Sequence, residues 1–195
     1  MVEKPVKRLP KAQRREQLLE TAFQIVREEG TDALTLGHLA ERAGVSKPIA
    51  YEHFGTRSSL LIALYKQIDD EHVAAMLQAL ERTPRRLKDV ARLVSRAYMH
   101  CYMTLGPEWH ALSAALKGDE QMEAFQREQL DSYVAIYRDA FAPYTDLPQP
   151  ELHLRCVAII GAAEAISREM LRGAVDEDTA AATLGSLIIE WLPKK

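Results

Sequence analysis

The chain has 195 residues, 47% of them hydrophobic and 27% charged, which is enough apolar material for one domain or two small ones. Two cysteines, Cys101 and Cys156, are too few for a disulfide framework, and the longest apolar run, residues 156–163, is too short to span a bilayer. With no apolar stretch behind the basic N-terminus, these features argue against a secreted or membrane-spanning protein and predict a cytoplasmic one. The net charge of −3 hides an asymmetry. Residues 1–60 hold ten Lys/Arg against eight Asp/Glu, whereas the remainder holds fifteen against twenty. Lys4, Lys7, Arg8, Lys11, Arg14 and Arg15 face only Glu3 in the first fifteen residues. A basic head on an acidic body suits an N-terminal end that meets phosphates; the plainer reading is a solvated tail.

No segment alternates with strand period, and glycine and proline fall as punctuation between helical patterns. The first helix is predicted over residues 10–29, with Leu19, Ala22, Phe23 and Val26 inward and Gly30 as its stop. Thr35 is placed to cap a short second helix over 36–43, whose inner face is Leu36, Leu39 and Ala40. Gly44 breaks it, Ser46 is placed to cap a third helix through Phe54, and Gly55-Thr56 leads into a fourth reaching about residue 80. Thr83-Pro84 reads as the start of a fifth helix, and Gly106-Pro107 as its end. A short helix over 108–117 and longer ones over 119–142, 151–172 and 176–192 complete an all-α chain of about nine helices.

Short helices separated by a glycine turn and followed by a long one have the layout of a helix-turn-helix. Ala40 is small where two helices must approach, and Gly44 suits the left-handed turn. With Val45 and Phe54 turned to the core, Lys47, Pro48, Ile49, Tyr51, Glu52 and His53 are left facing outward. That mixture of cation, aromatic and aliphatic groups suits a helix that reads the major groove, with its N-terminal N–H groups directed at phosphate. Thr35 and Arg57 stand at the starts of the flanking helices, where they would hold the DNA backbone, and Ser46 is counted with the DNA-binding residues.

The stretch TLGHLAERAGVSKPIAYEHFGTRSSLLIALY, residues 35–65, resembles the DNA-binding region of the TetR family of transcriptional regulators. The residues that carry the resemblance are Thr35, the turn from Ala43 to Ser46, Tyr51, His53, Phe54 and the cation Arg57. Two departures stand out: Ala50 replaces a frequent leucine, and Arg57 a frequent lysine. The resemblance implies a head over residues 1–60, with its motif at about 35–54, and a ligand-binding and dimerising body over 61–195. It further implies a homodimeric repressor, released from a palindromic operator by a small-molecule effector, rather than an enzyme. An activator, an effector-independent regulator and an all-helical enzyme are the alternatives.

In the body, Tyr98, Tyr102, Phe125, Tyr133 and Tyr137 are candidate pocket walls, joined by Trp109 and His110 just after Gly106-Pro107. Each is also an ordinary core candidate. Small residues mark a candidate dimer face: Ala158, Gly161, Ala162 and Ala165 on one helix, and Ala181, Gly185 and Ile188 on the next. Packing within one subunit would produce the same periodicity. His153 and Cys156 lie one helical turn apart, but two ligands do not make a metal site, and neither metal nor cofactor is expected.

Overall fold

The computed structural model describes residues 9–115 and 120–192, without the side chains of 105–115, 120 and 122. The described residues form eight α-helices and no strand. They are α1 (Lys11–Glu29), α2 (Leu36–Arg42), α3 (Lys47–Phe54), α4 (Arg57–Arg82), α5 (Leu87–Ala115), α6 (Glu120–Phe141), α7 (Gln149–Leu171) and α8 (Glu177–Trp191). The all-α expectation holds, and eight helices stand for the nine predicted because two of them are one. Helix α5 runs through Gly106-Pro107. An internal proline costs a helix one hydrogen bond and some straightness, but it does not oblige the chain to leave the helix.

Thr83-Pro84 is a second correction. The Thr83 hydroxyl donates back to the Ala79 carbonyl at 2.8 Å, so it finishes α4, and α5 begins only at Leu87. Such back-bonding is the alternative open to a threonine one turn beyond a free carbonyl.

Two compact units divide the chain: Met1–Gln67 with His110–Met122, and Ile68–Trp109 with Glu123–Lys195. The division falls inside α4 and α5. In the first unit, Leu18, Ala22 and Ile25 of α1, Leu36 and Leu39 of α2, Ala50 and Phe54 of α3, and Leu60, Leu61 and Leu64 of α4 are buried. The turn between α2 and α3 is a Schellman motif: the Val45 N–H donates to the Ala40 carbonyl at 2.9 Å and the Gly44 N–H to the Glu41 carbonyl at 3.1 Å. Gly44 takes φ 65°, a conformation that a side chain would resist.

The second unit has its own core. Met76 of α4, Val90 to Met99 of α5, Val134 to Phe141 of α6, Leu152 to Met170 of α7, Ala180 to Ile188 of α8 and Leu192 just beyond it supply it. Tyr137 and Phe141 meet edge to face at 5.9 Å. Helices α5 and α8 come close where Gly185 faces Ser95: a Cβ at Gly185 would lie 3.6 Å from the Ser95 hydroxyl. No helix among the described residues is long and apolar enough to cross a membrane.

Candidate nucleic-acid interface

Helix α3 has two faces. Ala50 and Phe54, one turn apart, are buried; Ser46, Lys47, Pro48, Tyr51 and Glu52 are exposed, and Ile49 and His53 half-buried. Tyr51 is 54% exposed although it is large and aromatic. A ring left in water at that cost has no part in holding the fold. Ala50 is fully buried, so the small residue sits where α3 rests on its support. The Arg15 guanidinium lies 4.9 Å from the centre of the Phe54 ring and closes that support from α1.

Ser46 occupies the N-cap position, but its hydroxyl does not cap the helix. The reason is Pro48. A cap hydroxyl accepts from the second or third helical N–H; Pro48 has none, and the Ile49 N–H donates to the Ser46 carbonyl at 3.0 Å. The hydroxyl is therefore not used by its own helix. Thr35 behaves as expected and accepts from the His38 N–H at 3.1 Å. Lys47 extends past Gly37, with its Cε 3.7 Å from where a Cβ would stand, so the glycine leaves the lysine stem room.

Glu52 pairs with Lys11 at 3.7 Å, both exposed, a partnership from α1 that local sequence did not indicate. Desolvation holds the His53 imidazole below its ordinary range; Glu52 opposes the shift, and Lys11, Arg15 and Arg14 add to it. The basic start of α1 thus lies near the last turn of α3. Arg57 is engaged within the fold. Its Nε donates to the Leu34 carbonyl at 2.9 Å and an Nη to the Thr31 carbonyl at 2.6 Å, so its guanidinium ties α4 to the loop before α2. Arg42 is likewise engaged by Glu28 and Glu29, with Glu29 also bonded to His38.

In the second unit the predicted pocket residues separate. Phe125 and Tyr137 are buried, while Tyr98, Tyr102 and Tyr133 are half-buried. Trp109 and His110 belong to α5, but their side chains lie outside the described residues. Tyr98 and Tyr102 stack at 5.0 Å, and the Tyr98 hydroxyl donates to that of Tyr102 at 3.2 Å. Tyr133 donates to the carboxylate of Asp69, a residue that sequence reading passed over although it is only 5% exposed. The available signal was a charge interrupting the apolar stripe of α4 between Leu61 and Met76. Burial raises the Asp69 carboxyl above its usual range, against the Tyr133 hydrogen bond, and raises the Cys101 thiol to about 12. Among the described residues no three His, Cys, Asp or Glu side chains converge as metal ligands.

The candidate dimer face also divides. Ala158, Gly161 and Ala165 of α7 are exposed, in line with Leu154 at 66% exposure, and Ala162 is half-buried. Ala181, Gly185 and Ile188 instead are buried in their own unit. The helical period that put them together aligns them with Leu184 and Leu192, the side of α8 that packs inward.

Comparison with known proteins agrees with the geometry of the first unit. Residues 18–64 match the family model of bacterial regulatory proteins, tetR family. The chain is 40% identical over 76 residues to the HTH-type transcriptional activator FasR of Mycolicibacterium smegmatis, covering 39% of this chain and 35% of FasR. It is 38% identical over 140 residues to the HTH-type transcriptional regulator BetI of Rhizobium meliloti, covering 68% of each. The match therefore spans about a third of FasR and two thirds of BetI. A transcriptional regulator of Pseudomonas aeruginosa PAO1 shares the fold at a TM-score of 0.77 and 13% identity, over 95% of this chain and 93% of that one. The chain belongs to the TetR family of DNA-binding transcriptional regulators, which are transcription factors and not enzymes.

Proposed function

We propose that the protein acts as a homodimeric repressor in the cytoplasm, reads a palindromic operator through α3, and leaves it when a small-molecule effector binds the second unit. The observation that carries the DNA reading is the division of α3, with Ala50 and Phe54 inward and Lys47 and Tyr51 presented to solvent. Lys47, Thr35 and the uncommitted Ser46 hydroxyl supply phosphate contacts, while Ile49, Tyr51 and His53 meet base edges. The exposed stripe of Leu154, Ala158, Gly161 and Ala165 is the proposed contact between copies. The half-buried tyrosines of the second unit make the effector site.

A second reading, activation instead of repression, draws support from the similarity to FasR, which is a transcriptional activator. Both readings are tested by selecting random duplex DNA on the purified protein and sequencing what is retained. An enriched palindrome with two half-sites is expected. No enrichment, before and after refolding to remove co-purified ligand, would sink both readings. Placing the enriched site upstream of a reporter then separates them by the sign of the response.

A further inference from the structure

His53 stands among cations that belong to another helix. The Lys11 ammonium lies 3.7 Å from the carboxylate of Glu52, the residue before His53. The Arg15 guanidinium lies 4.9 Å from the centre of the Phe54 ring, which is itself 6.2 Å from the centre of the His53 ring. Both cations come from α1, and Arg14 joins them in acting on the imidazole, while Glu52 acts in the opposite sense. Of the charged groups on the neighbouring elements, Glu41 of α2 is exposed, and His38 and Arg42 of α2 are held by Glu28 and Glu29. At the start of α4, Arg57 is bonded to the Leu34 and Thr31 carbonyls.

The His53 ring is half-buried. In the free protein, burial and the α1 cations both favour its neutral form and hold it below the ordinary value of 6.5. A duplex carries about one negative charge per 1.7 Å of its axis, so its arrival neutralises those cations and reverses the potential at the helix it meets. Contact also removes water, which opposes protonation. The ring is already partly desolvated, however, and several phosphates fall within a Debye length of about 8 Å, so the change of potential is the larger effect.

We propose that His53 couples DNA binding to proton uptake: neutral in the free protein, it takes a proton from solvent as α3 meets DNA, and the imidazolium adds a cation to the interface. This rests on the reading of α3 above and adds a condition to it. The affinity gained is present in full below the free ring's value and is lost as pH rises through the higher value of the bound ring. A fall in pH therefore tightens the hold on DNA.

The test uses the full chain and a mixed-sequence duplex long enough for two half-sites, at low salt, alongside any palindrome recovered by selection. Affinity is followed from about pH 6 to about pH 8 at constant ionic strength, and calorimetric titration in phosphate and in Tris reads proton uptake from the difference in buffer heats. Binding is expected to loosen by at least about threefold per subunit across that range, with uptake of up to about one proton per subunit near neutrality. His53→Gln keeps a hydrogen-bonding side chain that does not titrate; it should flatten the profile and remove the uptake, with helicity checked by circular dichroism. The His53 ring signals of the parent, assigned by NMR through the backbone, should titrate at higher pH with DNA than without, a reading that stands even if the variant does not fold. No uptake by the parent, equal uptake by His53→Gln, or a ring midpoint left in place or lowered by DNA would overturn the proposal. Uptake on the mixed duplex with no palindrome recovered upholds the proton-linked contact and removes the operator reading. A palindrome bound without uptake does the reverse.

Discussion

The outward face of α3 and the buried Asp69–Tyr133 pair present polar groups under opposite conditions. On α3 the charges stand in water, where a lysine or glutamate costs the fold little and is available to whatever approaches. Around Asp69 the carboxylate is buried, so its charged form costs the fold more than it would in water. The first kind of site is held by a backbone that positions exposed atoms. The second is held by packing, and the cost of its buried carboxylate is offset by the Tyr133 hydrogen bond and relieved by a proton. Substitutions should therefore separate: in the second unit they should change stability and ligand response, and on α3 only DNA binding.

The largest expected effect lies in the second unit's core. Tyr137→Ala removes a ring that is 1% exposed and packed on Phe141. It should cost about 3–5 kcal/mol in urea denaturation, as large aromatic deletions do. A loss under 1 kcal/mol would mean that the ring fills a space able to collapse, and the contrast between packed and exposed sites would weaken. Arg57→Ala comes next, because it breaks two charge-assisted hydrogen bonds to the Leu34 and Thr31 carbonyls. We expect a loss of about 1.5–3 kcal/mol, with faster amide exchange around residues 31–35. Unchanged stability with a weakened salt dependence of DNA binding would return Arg57 to the phosphate role expected from sequence.

Much of the first unit was legible in the sequence because its signals are local. Gly44, Thr35 and the inward Phe54 each act within one turn or one helix of their own position, whereas Val45, also expected inward, is half-buried. The bonds of Arg57 to Leu34 and Thr31 were not legible because those partners lie more than twenty residues away, and an arginine at a helix start suits either a phosphate or a carbonyl. Distance in sequence also hid Asp69, whose partner Tyr133 arrives on another helix. The small residues of α8 show a different limit. Helical period groups Ala181, Gly185 and Ile188 on one side without saying whether that side meets α5 or a second copy.

Asp69 gives the comparison a pH signature. A carboxyl whose folded pKa is raised binds more protons folded than unfolded, so stability falls as pH rises from the ordinary aspartate value of 3.8 through the folded value. Asp69→Asn should therefore be more stable than the parent at neutral pH, and it should lose that part of the slope. Thermal melts of both proteins between pH 4 and 8 check the point; curves that stay parallel would remove Asp69 as their cause. On α3, Lys47→Ala should leave stability within about 0.5 kcal/mol. It should flatten the salt dependence of DNA binding by about one counterion per subunit, measured by titrating DNA at several salt concentrations.

The smallest effect on the fold, and the sharpest question about the reading face, concerns Glu52. Its pair with Lys11 is exposed on both sides, and such pairs contribute about 0–1 kcal/mol, so Glu52→Gln should melt like the parent. Its consequence for DNA depends on what the carboxylate does there. If Glu52 holds Lys11 until DNA arrives, losing the charge frees a cation and removes a repulsion from phosphate. Binding to all sequences then tightens, while the selected palindrome keeps its composition. If the carboxylate instead accepts from a cytosine amino group, the variant loses preference at one base pair, by about 1–3 kcal/mol. The pairing with Lys11 favours the first outcome, because an acceptor committed to a base would have to abandon that partner on every binding event. Repeating the random-duplex selection with Glu52→Gln decides it: an unchanged motif supports the Lys11 role, and information lost at a single position makes Glu52 a reader.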